Sequence, residues 1–435
     1  MSSQFRPPAA NRLRRRTAVL TAGLLAIGLG ACSGGGTPTP GPTPARADAV
    51  ALRADAPDGL SIGVVISLTS APGEGAEWRD AAEGARVATR RFELGGTDVR
   101  LIGANDKGTE RGAASAVRTL VDRGVAGIVL ATSGDHVRGG LNEAAAAGVP
   151  VVLPYTEDAA HLPPGAWVTG PEAPVAAGRL VQALRARGAR RPFLVDAGGG
   201  PLEALVPSGT ATLRTDADPA ALAAKLKRRQ RRDDTSFDAV VVSGPATRQA
   251  TVVQALQGAG IDVPFFLTPD ALSPAFAAAL RKADGSLSAE FVSVGLDAGD
   301  AAALEPSAAG RALAAYFSAL RMTAAEPALQ DLLGERPFAE VAGAADVRSH
   351  DAVVALVRAA EAAGRTAPAE VSSRLSGLRL TRGDGLAGPA LSFTSPGAVA
   401  ADDMVALGAT PTSPGVRPEP GRGSSSLFWF PMPAS

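Results

Sequence analysis

The chain is short of the residues that most often carry chemistry. Its 435 residues include one cysteine, three histidines and two tyrosines, and aromatic residues make up only 4%. A single cysteine permits no intrachain disulfide, so packing alone must hold the fold. The histidines, His136, His161 and His350, have no ligand-like spacing and no thiol partner, which argues against metal chemistry, and nothing calls for a cofactor. No nucleophile elbow with a strand-turn-helix frame is visible, and the glycine-rich runs lack the Lys-Ser/Thr of a phosphate loop, so the chain does not read as an enzyme. An excess of either charge is missing too. The 43 basic residues balance 43 acidic ones, leaving no footprint for nucleic acid. What the chain does have is 46% hydrophobic content, enough for sizeable cores even though alanine supplies much of it.

The one cysteine stands at an informative place. Arg12, Arg14, Arg15 and Arg16 precede an apolar stretch from Ala18 to Leu29, and Leu29-Gly30-Ala31-Cys32 follows. This is the layout of a lipoprotein export signal, with Cys32 accepting the lipid and cleavage on its amino side. The apolar stretch is shorter than the roughly 20 residues a transmembrane helix needs. The expectation is a protein held on the extracytoplasmic face of the cell membrane by acyl chains, palmitate among them. Residues 1–31 would be the signal peptide and 32–59 a Gly/Pro/Thr-rich tether, since such a composition cannot bury a core. Residues 411–435 read as a Pro/Gly/Ser-rich tail. Within it, Leu427-Phe428-Trp429-Phe430 is an apolar cluster suited either to docking on the parent domain or to meeting a partner.

Between these ends the chain alternates short apolar strands with amphipathic helices. Strands are expected at 61–68, 99–104, 127–131 and 151–154, with helices at 77–94, 112–123 and 137–147 between them. Continuous apolar strands separated by helices describe a parallel sheet covered on both faces. After a helix at 174–187 the pattern restarts: strands at 193–195, 211–213, 239–242 and 265–267, helices at 219–231 and 247–259. A strand at 290–294 is followed by long helical stretches, 307–321 and 346–363, without further alternation. Their simplest place is against a lobe already built. The fold class is therefore α/β, two Rossmann-like lobes with parallel sheets joined by a multi-crossover hinge. Lobe 1 is expected to hold 60–170 and 296–385, and lobe 2 171–295 and 386–410. A cleft between such lobes, at the carboxyl ends of the strands, is where ligands bind.

Several short runs carry a resemblance. Ser61-Ile62-Gly63-Val64-Val65 leads to Leu68-Thr69-Ser70, Asn105-Asp106 closes the second strand, and Ala147-Gly148-Val149-Pro150-Val151-Val152-Leu153-Pro154 runs into the fourth. Ser349-His350-Asp351-Ala352-Val353 opens a late helix. In this order they resemble the type I periplasmic binding proteins, particularly the branched-chain amino-acid (Leu/Ile/Val) receptors of ABC transporters. The resemblance spans about Leu60 to Gly408. It implies a solute-binding lipoprotein that presents a small, amino-acid-like ligand to an ABC permease.

The resemblance also implies site residues. In the family, polar turns after the third and fourth strands hold the ligand's carboxylate. Here these turns are Ala131-Thr132-Ser133-Gly134-Asp135 and Pro154-Tyr155-Thr156-Glu157-Asp158. Thr132, Ser133 and Thr156 are the candidate donors, although plain helix capping accounts for them equally. Tyr155 is the turn's aromatic residue, and Trp78 lies near the family's first-lobe aromatic position as a candidate apolar wall. Thr268-Pro269-Asp270 resembles the Gly-Pro-Glu turn whose acid receives the ligand's ammonium, so Asp270 is the leading candidate contact. Glu157 falls where a hydroxyl is common, Ser243-Gly244-Pro245 replaces an expected aromatic, and both departures leave a second reading open. That reading is an interaction or regulatory protein of the cell envelope with a degenerate pocket.

Overall fold

The computed structural model describes residues 48–233, 236–418 and 426–432. The export signal, Cys32 and most of the expected tether lie outside them. Among the described residues, no helix is long and apolar enough to cross a membrane.

The first lobe is built from β1 (Ser61–Ile66), α1 (Gly84–Leu94), β2 (Arg100–Asn105), α2 (Glu110–Asp122), β3 (Gly127–Leu130), α3 (Val137–Ala147), β4 (Val151–Leu153) and β5 (Ala166–Val168). The second follows with α4 (Ala173–Ala186), β6 (Pro192–Asp196), β7 (Gly209–Thr212), α5 (Pro219–Arg232), β8 (Ala239–Ser243), α6 (Ala246–Gly258), β9 (Phe265–Leu267), α7 (Pro274–Lys282) and β10 (Phe291–Leu296). The chain then adds α8 (Ala308–Ala324), α9 (Phe338–Val341), α10 (Val347–Ala363), α11 (Pro368–Leu375), β11 (Arg379–Leu380), β12 (Leu391–Ser392), β13 (Met404–Thr410) and β14 (Phe428–Pro431).

Sheet 1 runs β2-β1-β3-β4-β5 and is parallel throughout. Sheet 2 runs β14-β13-β10-β9-β8-β6-β7, parallel from β7 to β10, with β13 and β14 antiparallel at one edge. Five strands in each lobe thus repeat one doubly wound order, whose switch points fall between β1 and β3 and between β6 and β8. The apolar content of β1, β3, β4 and β8 follows from helices on both faces. Val64, Val65, Val129, Val152 and Val240 are fully buried, each contributing roughly 1.5–3 kcal/mol by transfer from water. In lobe 2, Phe276 and Phe265 pack on Phe291 with ring centroids 5.6 and 6.0 Å away.

The expected first helix begins late. Residues Ala76–Trp78 and Ala81–Glu83 form two tight turns, and α1 starts only at Gly84. A Cβ there would strike the Asp346 carbonyl, so glycine lets the start of α10 press against α1.

Three expectations about boundaries differ from the structure. Residues 48–59, assigned to the tether, are packed: Leu52 is buried, and Thr97 Oγ1 donates to Ala54 O at 2.7 Å while accepting from Ala54 N at 3.2 Å. The last crossing to lobe 2 comes near residue 400, not 386. Leu391, Phe393, Ala398 and Val399 belong to the core of lobe 1, and Ala398 N donates to Val168 O beside β5. Hydrophobic periodicity misses this segment because it is too short to show a period. The tail is also ordered in part, for Leu427-Phe428-Trp429-Phe430 docks on its parent lobe as β14 against β13.

Candidate functional site

The carboxyl ends of β1, β3 and β4 face those of β8 and β9, so the polar turns of the two lobes meet across a cleft. On the lobe 1 side, Trp78 and Tyr155 stack with centroids 4.6 Å apart and planes within 3°. Both are 3% exposed. Arg348, at the first turn of α10, places its guanidinium carbon 4.6 Å from the Trp78 centroid and 4.7 Å from that of Tyr155. The structure thus joins the two predicted aromatics, but as a pair capped by a cation rather than as a bare apolar wall. Arg348 is held in turn by Asp346, with Nη2 2.9 Å from Oδ2.

Thr132 and Ser133 are brought to the cleft edge and then covered by the chain itself. Thr132 is fully buried and shares a 2.8 Å hydrogen bond with Ser67 Oγ. A Cβ on Gly75 would collide with Thr132 Oγ1 and come within 2.7 Å of Ser133 N, so the 71–75 loop lies directly on the turn. Gly75 has φ of 92°, a conformation open mainly to glycine. The same loop brings Glu74 to the start of α3. His136 Nδ1 and Glu74 Oε2 are 2.6 Å apart, and His136 Nε2 and Asp106 Oδ2 are 2.7 Å apart. Ser67 Oγ donates to Asp106 Oδ1 at 2.6 Å. An internal carboxylate therefore stands at the helix N-terminus where an anion is most favoured. Burial works against a charged imidazole, but the bonds to Asp106 and Glu74 outweigh it and hold His136 above the usual histidine range. Burial also opposes ionisation of Asp106, whose bonds to His136, Ser67 and the Gly108 amide nevertheless keep it below the carboxylate range.

Opposite this closed corner is an open one. A cavity of about 250 Å³ lies between the lobes, lined by Glu157 from the turn after β4 and by Thr268, Pro269 and Asp270 after β9. The apolar face of α4 and the 199–203 loop complete it. Burial, reinforced by the Asp270 carboxylate, pushes Glu157 well above the usual carboxylate range against the pull of Arg348. Asp270 is pushed up by its own burial and by Glu77, again against Arg348. Thr156 Oγ1 is buried without a hydrogen-bond partner, as is Glu77 Oε2. Buried polar atoms left unmatched carry a desolvation cost that a bound solute would offset.

Reading the sequence missed Arg348, Glu77, Glu74 and Glu203. Glu157 was legible as an acid in a hydroxyl position, but the loop over Thr132 was not. Reading the sequence also passed over one Gly-x-Ser-x-Gly run, Gly59-Leu60-Ser61-Ile62-Gly63, which has the residue spacing of a hydrolase elbow. It nonetheless puts Ser61 at the start of β1, far from a strand-to-helix turn, with Oγ donating to Gly59 O. Among the described residues, no group of three His, Cys, Asp or Glu could hold a metal ion.

Comparison with solved structures agrees with this architecture. A type 1 periplasmic binding protein from Bordetella pertussis Tohama I superposes with a TM-score of 0.59 at 16% identity, covering 86% of this chain and 100% of that one. The branched-chain amino-acid transporter substrate-binding protein of Streptococcus pneumoniae, in complex with isoleucine, gives 0.59 at 18% identity over 81% of this chain and 95% of that one. An ABC transporter substrate-binding protein from Desulfitobacterium hafniense, in complex with Leu, gives 0.58 at 14% identity over 85% and 99%. No curated protein matches the chain. At these identities the likeness is one of fold. The family model described as periplasmic binding protein matches residues 59–408, from just before β1 into β13. The chain belongs to the periplasmic binding protein family, whose members bind solutes outside the cytoplasm rather than transform them.

Proposed function

We propose that this is a lipid-anchored solute-binding protein of an ABC transporter, tethered through Cys32, which closes its two lobes on a small polar solute such as an amino acid or related amide. The observation that carries this reading is the interlobe cavity, where Glu157 and Asp270 from opposite lobes share one solvent-poor space. Two opposed acids at the carboxyl ends of parallel strands have no role in holding either lobe together. They favour a ligand that donates hydrogen bonds to both walls, and Asp270 is the contact on the lobe 2 side. Thr156, beside Glu157, keeps a buried hydroxyl without a partner, whereas Thr132 and Ser133 lie under the 71–75 loop.

The covered Thr132–Ser133 turn and the capped aromatic pair favour a second reading, an envelope interaction protein whose pocket has decayed. A thermal-shift screen of the mature chain against amino acids, amides and ureas separates the two, because a solute that binds only the native state raises its melting temperature. Stabilisation by one solute class, lost in Asp270→Asn, supports binding. A flat response across the screen refutes it. For the anchor, Cys32→Ser should leave the fold intact and release the processed protein from membranes. Continued membrane retention of the processed variant on fractionation would refute the lipid assignment.

A further inference from the structure

We infer that the ligand of this cleft is a small organic cation, an aliphatic amine or guanidinium that carries no carboxylate of its own. The inference rests on the solute-binding reading above and adds the charge of the solute. A zwitterion needs an anion site on one wall, and that site is already taken. The N-terminus of α3 holds the Glu74 carboxylate, which His136 clamps from the other side, and Gly75 covers the hydroxyl and amide of the adjacent turn. A ligand carboxylate would have to displace both the loop and its ion pair.

The open cavity has the opposite character. Its charged lining residues are Glu157, Glu203 and Asp270, and among the described residues no Lys, Arg or His lines it. Arg348 pulls on both acids from outside the lining, but its guanidinium is held by Asp346 and by the two aromatic rings. The N-terminus of α4 supplies little positive potential, because Ala173 N donates to Glu157 O and Pro174 has no N–H.

Two buried side chains behind the lobe 2 wall add acceptors that nothing matches. Glu77, 9% exposed, keeps Oε2 without a partner while its charge bears on Asp270. Gln249, fully buried, donates Nε2 to Gly244 O and Thr268 Oγ1 in the cavity wall, and its Oε1 is unmatched. An ammonium or guanidinium has only donors. It would pair with the lining carboxylates and relieve the repulsion among them, with its alkyl body on Ala177 and Leu180 of α4.

Calorimetry and thermal shift on the full mature chain, comparing 1,4-diaminobutane and agmatine with the zwitterions 4-aminobutanoate and leucine, test the inference. At least one cation should bind and raise the melting temperature, and neither zwitterion should match it. Glu157→Gln and Asp270→Asn should each weaken the cation by roughly thirtyfold or more, the effect of removing a charge partner from a desolvated site. A zwitterion that binds as well as the best cation, or a cation indifferent to both substitutions, overturns the assigned charge and leaves solute binding standing. No response to either set, nor to the wider screen of amino acids, amides and ureas, overturns both.

Discussion

Replacing Gly75 by alanine tests how firmly the 71–75 loop seals the lobe 1 turn. Two costs combine at this position. The first is the left-handed backbone, φ 92°, which disfavours any residue with a Cβ by about 1–2 kcal/mol. The second is steric, because the new methyl group meets the buried Thr132 hydroxyl and approaches Ser133 N. Overpacking of this kind costs about 1–3 kcal/mol, giving a total of about 2–5 kcal/mol. Gly96 provides a control, for it has a similar φ of 88° and nothing within 4 Å of a built Cβ. Gly96→Ala should therefore show the backbone cost alone. Urea denaturation of the ligand-free chain measures both, provided the slope with denaturant is unchanged. The expected excess for Gly75→Ala is about 1–3 kcal/mol. If the two variants lose the same stability within about 0.5 kcal/mol, the loop does not rest on Thr132 and Ser133. The turn would then be free to receive an anion, and the argument for a cationic ligand would lose its first premise.

Three further outcomes follow from buried charges. Burial outweighs the Leu332 amide and Arg86 to push Glu83 up to about 8, so the folded state retains a proton that the unfolded chain releases near pH 4.5; stability is full below that pH and falls as pH rises through 8, by at most about 1.4 kcal/mol per unit, and Glu83→Gln should flatten the slope in urea titrations. The His136 ring should titrate by NMR above its ordinary midpoint, so its interactions contribute most at low pH and fade as pH rises through the raised value; a midpoint at or below 6.5 would refute the two-carboxylate clamp. Arg417→Ala strips the partner from buried Asp300 and from the Gly343 and Ala345 carbonyls. It should cost about 3–5 kcal/mol, with faster amide exchange in β14; an unchanged denaturation midpoint would show the ion pair to be dispensable.

The doubly wound lobes were legible because the central strands β1, β3, β4 and β8 are continuous apolar runs between helices, a pattern that survives without any knowledge of contacts. Helix α3 was expected at 137–147 and occupies Val137–Ala147, since a β-strand, a polar turn and a glycine stop bound it on both sides. The paired segments β12 and 396–398 were not legible. Two or three residues have no period, and their place beside β5 depends on a bridge between Val168 and Gly397. At the site, the family resemblance flagged Glu157 and Asp270, the one as an acid in a position where a hydroxyl is common and the other as the acid of a Thr-Pro-Asp turn. Arg348 escaped notice, although it immediately precedes the Ser349-His350-Asp351 run. Its position over two rings from distant segments is a tertiary fact. The same holds for Glu74, which meets His136 on one side of the ring while Asp106, from a different turn, meets it on the other, a convergence made only after the lobe has formed.

The end of the chain has a consequence for how copies of this protein behave beside one another. An open sheet exposes a row of unpaired N–H and C=O groups at each margin, a template for joining with another molecule. β13 would be such a margin, but β14 lies against it from Phe428 to Pro431, and Arg417 pins the preceding segment to Asp300. Pro431 then offers no N–H with which to recruit another strand. A preparation trimmed before residue 426 would bare the β13 margin together with the apolar faces that Phe428 and Trp429 now cover. An uncovered margin of this kind is the template on which sheets of neighbouring molecules join, and β14 occupies it within the chain itself.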